Sequence, residues 1–223
     1  MSGFVNTVDS IGDEALTNSI IDRSIVEFSD NYVTSVGANA FLGSPNLNKV
    51  DMPSVTSIGE SAFKECASLM TAKFSAATSV GNYAFQYCSS LETVDMPVAQ
   101  SVGTYTFYKC TNLTKANFPA AQNVGSQMFY GCTKLKTADF SVATRVNAKA
   151  FEGCSALTEL ILRSETVATL GATTAFTNTP IASGTGYIYV PAALVDSYKA
   201  AANWSTYANQ FRAIEDYPDI CGT

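Results

Sequence analysis

Val55-Thr-Ser-Ile58-Gly59-Glu-Ser-Ala62-Phe63-Lys-Glu-Cys66-Ala-Ser-Leu69-Met-Thr-Ala72-Lys-Phe74 is one copy of a unit that recurs along the chain. Its phenylalanine recurs at Phe41, Phe63, Phe85, Phe107, Phe129 and Phe151, each 22 residues from the last. The cysteine keeps the same step at Cys66, Cys88, Cys110, Cys132 and Cys154. So does the leucine, from Leu47 through Leu69, Leu91, Leu113 and Leu135 to Leu157. A fixed period of this length marks a solenoid, in which each unit buries its apolar face only against its neighbours.

Each column has a physical task. Leu69, Ala72 and Phe74 fit a short strand with alternate residues pointing inward, and stacking makes these strands a parallel sheet on one face. Strands ~4.8 Å apart over about eight rungs give a body roughly 35–40 Å long. The Ala and Phe columns sit on a tight helical or 3-10 turn that drops the ring into the core. Ahead of them, Gly12, Gly37, Gly59, Gly81, Gly103, Gly125, Asn147 and Gly171 form a column whose single exception is asparagine. That substitution predicts a left-handed backbone position.

Ile58-Gly59-x-x-Ala62-Phe63-x-x-Cys66-x-x-Leu69 is echoed by Val80-Gly81-x-x-Ala84-Phe85-x-x-Cys88-x-x-Leu91. These units resemble the BspA-like class of leucine-rich repeats, over roughly residues 8–190. The resemblance implies a leucine-rich-repeat solenoid with a parallel sheet on one face. It also implies a non-catalytic module for binding or adhesion to a protein or glycan, of the kind found on bacterial and protozoan surfaces. The alternative is a structural or receptor-recognition part of a larger assembly, such as a phage tail or surface array. No signal peptide is visible, since the first basic residue is Arg23 and Met1 to Ser10 holds no apolar segment. Resemblance favours the cell surface; a virion component or a cytoplasmic protein is the alternative.

Three parts are expected. Residues 1–32 form an irregular N-terminal half-repeat, with Val8, Ile11, Gly12, Ala15 and Leu16 matching the first half of a unit. Residues 33–190 are the solenoid, with three residues inserted between Phe151 and Phe176. Residues 191–223 are a helical C-terminal cap and an acidic tail. In the cap, Pro191 opens a helix carrying Leu194, Tyr198 and Ala201. Ser205 is expected to cap a second helix carrying Tyr207, Phe211 and Ile214. The segment from Asp216 to Thr223 is expected to be loosely ordered. Ser183-Gly184-Thr185-Gly186 reads as a turn before the last strand.

Composition narrows the function. The 223 residues contain no histidine, which removes histidine-based triads, acid–base chemistry and zinc sites. A net charge of −6 disfavours a duplex nucleic-acid partner. No run of 18 apolar residues exists to insert into a membrane. Gly-x-Ser-x-Gly and phosphate-loop motifs are absent. The expectation is no enzyme and no cofactor, and a monomer or weak oligomer. The cysteine column, replaced by Ser44 and Thr179 at the ends, wants a small group with a weak donor. Buried free thiols fit it better than a disulfide pair or a metal site.

Two surfaces compete as binding sites. On the strand face, Lys49 and Lys115 fall in one outward column and Asp51, Lys73, Asp95 and Asp139 in the next, a solvated ladder of cross-strand pairs. On the turn edge, Tyr83 and Tyr105 share a column, Tyr108 and Tyr130 another, and Tyr87 stands beside them. Other units fill these columns with polar or charged residues, so the rings should lie at the surface. Tyrosine is a stiff, amphipathic contact enriched at binding hot spots.

Overall fold

The computed structural model describes residues 10–15, 25–27 and 33–221. Each 22-residue turn of the coil lays down two strands. One series is Lys49–Asp51, Thr71–Lys73, Thr93–Asp95 and Lys115–Asn117, lengthening to Thr137–Phe140, Glu159–Leu162 and Tyr187–Val190. The other is a series of two-residue strands from Ser35–Val36 through Ser57–Ile58 and Ser79–Val80 to Thr169–Leu170. All pairing is parallel and in the repeat register, such as Val50↔Ala72 and Ser57↔Ser79. Of the N-terminal half-repeat, Ser10–Ile11 pairs with Ser35–Val36 and Ile25–Glu27 with Lys49–Asp51. Val8 and Leu16 lie outside the described residues.

Between the strand series runs the turn edge. Phe41, Phe63, Phe85, Phe107, Phe129, Phe151 and Phe176 stack as a buried spine with centroids 4.9–5.8 Å apart and planes within 3–9°. The three residues inserted before Phe176 therefore loop out without breaking the stack. Tight turns hold each ring: the Lys64 N–H donates to the Ser61 carbonyl and the Cys66 N–H to that of Phe63. The intervening amides reach the next rung, from Phe63 to the Ala84 carbonyl and from Glu65 to that of Gln86. The turn edge is thus a third backbone ladder. In the last rung it becomes a 3-10 helix, Thr173–Phe176.

The glycine column corrects the sequence reading, because it is not left-handed. Positive φ falls on either side of the phenylalanine instead, at Asn39, Ser61, Tyr83, Tyr105, Gln127 and Lys149, and again at Glu65, Tyr87, Lys109, Gly131 and Gly153. The glycines are needed for close approach. A Cβ on Gly59 would lie 2.5 Å from the Ala38 nitrogen, and one on Gly81 would lie 2.6 Å from that of Glu60.

A seam interrupts the coil. Both strand series break once: Thr93–Asp95 does not pair with Lys115–Asn117, nor Ser101–Val102 with Asn123–Val124. These breaks are continuous along the chain, setting residues 92–102 against 114–124. One long backbone bond crosses it among the described residues, from the Gln122 N–H to the Gln100 carbonyl at 3.3 Å. Val94 and Val102 are partly exposed there, whereas their counterparts Ala72, Ala116, Val80 and Val124 are buried. The turn edge stays closed, with Tyr105 N–H on the Ser126 carbonyl and Phe107 N–H on that of Met128. The amides of Met96, Thr114 and Gly125 are expected to exchange with deuterium faster than those of Phe118, Lys136 and Gly103. Those three are bonded to the Asp139, Thr114 and Val80 carbonyls. Equal protection would mean the seam is closed in solution.

The C-terminal segment closes the coil by two different means. The longer sheet receives one more strand, Phe211–Ala213, paired with Tyr187–Val190. The short-strand edge receives side chains instead. The Ala168 N–H donates to Tyr198 Oη at 2.9 Å, and Trp204 Nε1 donates to the Ala168 carbonyl at 2.6 Å. Asn203 Nδ2 reaches the Leu170 carbonyl at 2.8 Å, and Tyr207 Oη that of Thr173 at 2.6 Å. Open edges invite aggregation, and these bonds satisfy the groups a further rung would have taken. The cap's helices are Ala192–Leu194, Val195–Ala200 and Trp204–Gln210. Ser205 does not cap the last of these: Asn203 holds that position, without a side-chain bond. Phe211 belongs to a strand and Ile214 to a separate turn, so the expected second helix stops short of both. As far as Cys221 the tail is also more ordered than expected, with a helix at Pro218–Cys221 and Tyr217 packed edge-on against Tyr189; Gly222 and Thr223 lie outside the described residues. Ser183–Gly186 is the expected turn, with Gly184 at φ 86 ending the helix Pro180–Ser183 before the strand Tyr187–Val190.

Candidate functional site

The repeat brings the five tyrosines together on the turn edge. Tyr83 stacks on Tyr105 at 5.1 Å, and Tyr108 stacks on Tyr130 at 4.8 Å. Tyr105 and Tyr108 join the two stacks at 5.7 Å, and Tyr87 meets Tyr108 edge-on at 5.5 Å. The strip is contiguous but not fully exposed: Tyr87 is the open ring at 40%, and the others are half-buried against each other. Gln127 Nε2 donates to Tyr105 Oη at 2.6 Å and fixes that hydroxyl. The Tyr108 phenol is held above its ordinary range, first by partial burial and then by the neighbouring tyrosines.

Three of these tyrosines occupy left-handed backbone positions, with φ of 59°, 58° and 63° at Tyr83, Tyr105 and Tyr87. A side chain in that region costs about 1–2 kcal/mol relative to the right-handed one. Stacked ring pairs return about 0.5–1.5 kcal/mol each. Because the rings stack in pairs along the solenoid axis, each of the four stacked rings has one face covered by its partner. Edges and hydroxyls, with the open ring of Tyr87, are what the strip mainly offers to a partner.

The strand face is less organised. Register places Asp51 beside Lys73 and Lys73 beside Asp95. No ion pair within 4.0 Å joins them among the described residues, so the expected ladder is one of register only. Asp139 turns instead to Arg163, whose guanidinium takes both its oxygens at 3.0 and 3.3 Å. Lys49 stands near the N-terminal end of this face. Lys115 lines a shallow depression of about 210 Å³ at the seam, with Glu92, Thr93 and Asn117.

The thiol column has the predicted character. Cys66, Cys88, Cys110, Cys132 and Cys154 are free and buried. Each Sγ–H donates to the phenylalanine carbonyl 25 residues back, at 3.0–3.1 Å. Thr179 Oγ1, in the same column, bonds instead within its own turn, to the Phe176 carbonyl at 2.7 Å. Burial pushes the Cys66 thiol up from 9.0 to about 12, and those of Cys88, Cys110 and Cys132 are raised by the same cause. A raised folded value gives stability that is complete below pH 9 and lost as pH climbs toward 12. Denaturant midpoints are thus expected to hold to about pH 9 and fall above it. Native protein should react slowly with a thiol reagent, and denatured protein should release five or six thiols of the six cysteines. A count near zero without reductant would overturn the free-thiol reading.

This geometry defines a capped solenoid of stacked parallel strands whose surface is a row of repeated side chains. It is a leucine-rich-repeat protein. The family model for the BspA-type leucine rich repeat region matches residues 3–99 and 78–187 in six copies, and the chain belongs to that family. Such repeats are typically non-catalytic binding scaffolds. Comparison with curated protein sequences finds no match. Among solved structures, a leucine rich repeat protein of T. pallidum is 24% identical, with a TM-score of 0.64 over 80% of this chain and 85% of that one. A leucine-rich repeat protein of Eubacterium ventriosum is 25% identical, with a TM-score of 0.62 over 70% of this chain and 43% of that one. A leucine rich cell surface protein of Faecalibacterium prausnitzii is 23% identical, with a TM-score of 0.54 over 64% of this chain. The chain spans 48% of that protein's length. Among the described residues, no helix is long and apolar enough to cross a membrane.

Proposed function

We propose that the chain is a non-catalytic adhesion or binding module of the bacterial cell surface, and that its tyrosine strip engages a protein ligand. The observation that carries this is the pair of stacks Tyr83–Tyr105 and Tyr108–Tyr130. A glycan bound by stacking needs an open ring face, and in four of the five rings one face is already covered by a neighbouring tyrosine. Hydroxyls and ring edges suit a protein surface better. The surface location rests on the family and on the cell surface protein among its structural neighbours.

Labelled protein applied to parallel protein and glycan arrays tests this. Binding to proteins is expected, and the triple variant Tyr83→Ala, Tyr105→Ala, Tyr108→Ala should lose at least about tenfold in affinity. Its thermal midpoint should fall only by a few degrees. The reversals Lys73→Glu and Lys115→Glu should leave binding unchanged. Binding to glycans alone would overturn the protein reading. Normal binding by the triple variant, or loss on charge reversal, would transfer the site to the strand face.

A further inference from the structure

A recess of about 400 Å³ lies between the last short strand and the cap, lined by Arg145, Val167, Thr169, Leu170, Ala202 and Trp204 among others. Two departures from the repeat meet at its mouth. Arg145 stands where other units carry Ser35, Ser57, Ser79, Ser101 and Asn123, and Asn147 stands in the glycine column. The two are bonded: Arg145 Nε donates to Asn147 Oδ1 at 2.8 Å, and Asn147 Nδ2 donates to the Val124 carbonyl at 3.0 Å. This fixes the guanidinium through its Nε and, among the described residues, leaves both terminal nitrogens without a partner. Among the described residues, no carboxylate lies within 4.0 Å of it. Arg145 and Thr169 are register partners, which puts the Thr169 hydroxyl on the adjacent rung.

We propose that this recess binds an amphipathic monocarboxylate, with the acid on the Arg145 guanidinium and Thr169 hydroxyl and its apolar side chain on Val167 and Ala202. A planar guanidinium held at one nitrogen presents its others as a fork, the geometry that matches a carboxylate. The size falls within the range of small-ligand sites. Arg145 is the one charged residue lining the recess among those described. A free metabolite and a peptide C-terminus present this same group. The site is separate from the tyrosine strip and does not rest on it.

N-acetyl-leucine, N-acetyl-leucinamide, and a leucine-terminated tetrapeptide with free or amidated C-terminus are the probes. Binding is read from amide shifts of Leu170, Gly171 and Ala202 and from fluorescence of Trp204, the one tryptophan of the chain. The acids should saturate with Kd on the order of 1 mM and the amides bind at least about tenfold more weakly. Arg145→Gln should lose at least about tenfold in affinity for the acids, Arg145→Lys less, and both should keep the wild-type thermal midpoint. Thr169→Val should weaken binding with Arg145 untouched, which covers the case of an Arg145 variant that does not fold. Response to N-acetyl-leucine but not to the tetrapeptide acid assigns a free metabolite, and response to both assigns a peptide end. Equal response to acid and amide, no saturable response, or unchanged binding in Arg145→Gln would overturn the proposal.

Discussion

Phe107→Ala will lower the unfolding free energy by about 3–5 kcal/mol, because it removes a fully buried ring and leaves a cavity the neighbours cannot fill. The ring touches three others, Phe85, Phe129 and Phe118, at 5.5, 5.4 and 5.5 Å. It also sits beside the seam, where the strand ladders contribute no pairing, so the spine and turn edge carry the coupling between halves. In a solenoid, stability is a sum of units and nearest-neighbour interfaces. The loss should therefore uncouple the halves as well as weaken the whole. Denaturant unfolding followed by circular dichroism will move to lower midpoint, while Trp204 fluorescence, which reports the cap, will move less. A loss below about 1 kcal/mol would mean that the site collapses around the gap or that the spine is not the core.

Gly81→Ala will cost about 1–3 kcal/mol or more, although it adds one methyl group. The new Cβ would meet the Glu60 nitrogen at 2.6 Å and the Gly59 carbonyl carbon at 2.7 Å, both backbone atoms of the rung below. Relief requires lifting one rung off another. Gly171→Ala is the control: its nearest atoms stand at 3.4 Å, ordinary contact, and the change should be near neutral. Gly81→Asn separates close approach from a left-handed turn. Asparagine tolerates positive φ, yet it carries the same Cβ, so it should be at least as damaging as alanine. If asparagine were well tolerated and alanine were not, the left-handed reading would return.

What the sequence made legible was whatever repeats as a side chain. The phenylalanine spine, the thiol column and the tyrosine strip are columns of identical residues, and a 22-residue period places them without coordinates. The seam could not be read this way, because Val94 and Ala116, or Gln100 and Gln122, obey the pattern on either side of it. Its signature lies in backbone pairing, as does that of the two-residue strands. The cap failed for the opposite reason. Phe211 and Ile214 stand three apart, which imitates a helical face, but Phe211–Ala213 continues the sheet because the last rung offers it an edge. Asn147 was visible as an exception in its column. Its meaning lay in its bond to Arg145, a partner two residues away whose direction the sequence does not fix.

The uneven joining of the rungs gives the molecule a preferred axis of flexure. Along most of its length three ladders resist bending together. Between 92–102 and 114–124 a single long bond joins the strand sides among the described residues while the turn edge stays tied, so the strand side can part there and the turn side acts as the pivot. The tyrosines lie along that pivot: Tyr83 and Tyr87 come before the seam, and Tyr130 beyond it. A ligand spanning them would splint the pivot, and a tensile load on the two ends would be felt at the contact surface itself. Under the adhesion role proposed above, grip and stiffness would then be set at the same place.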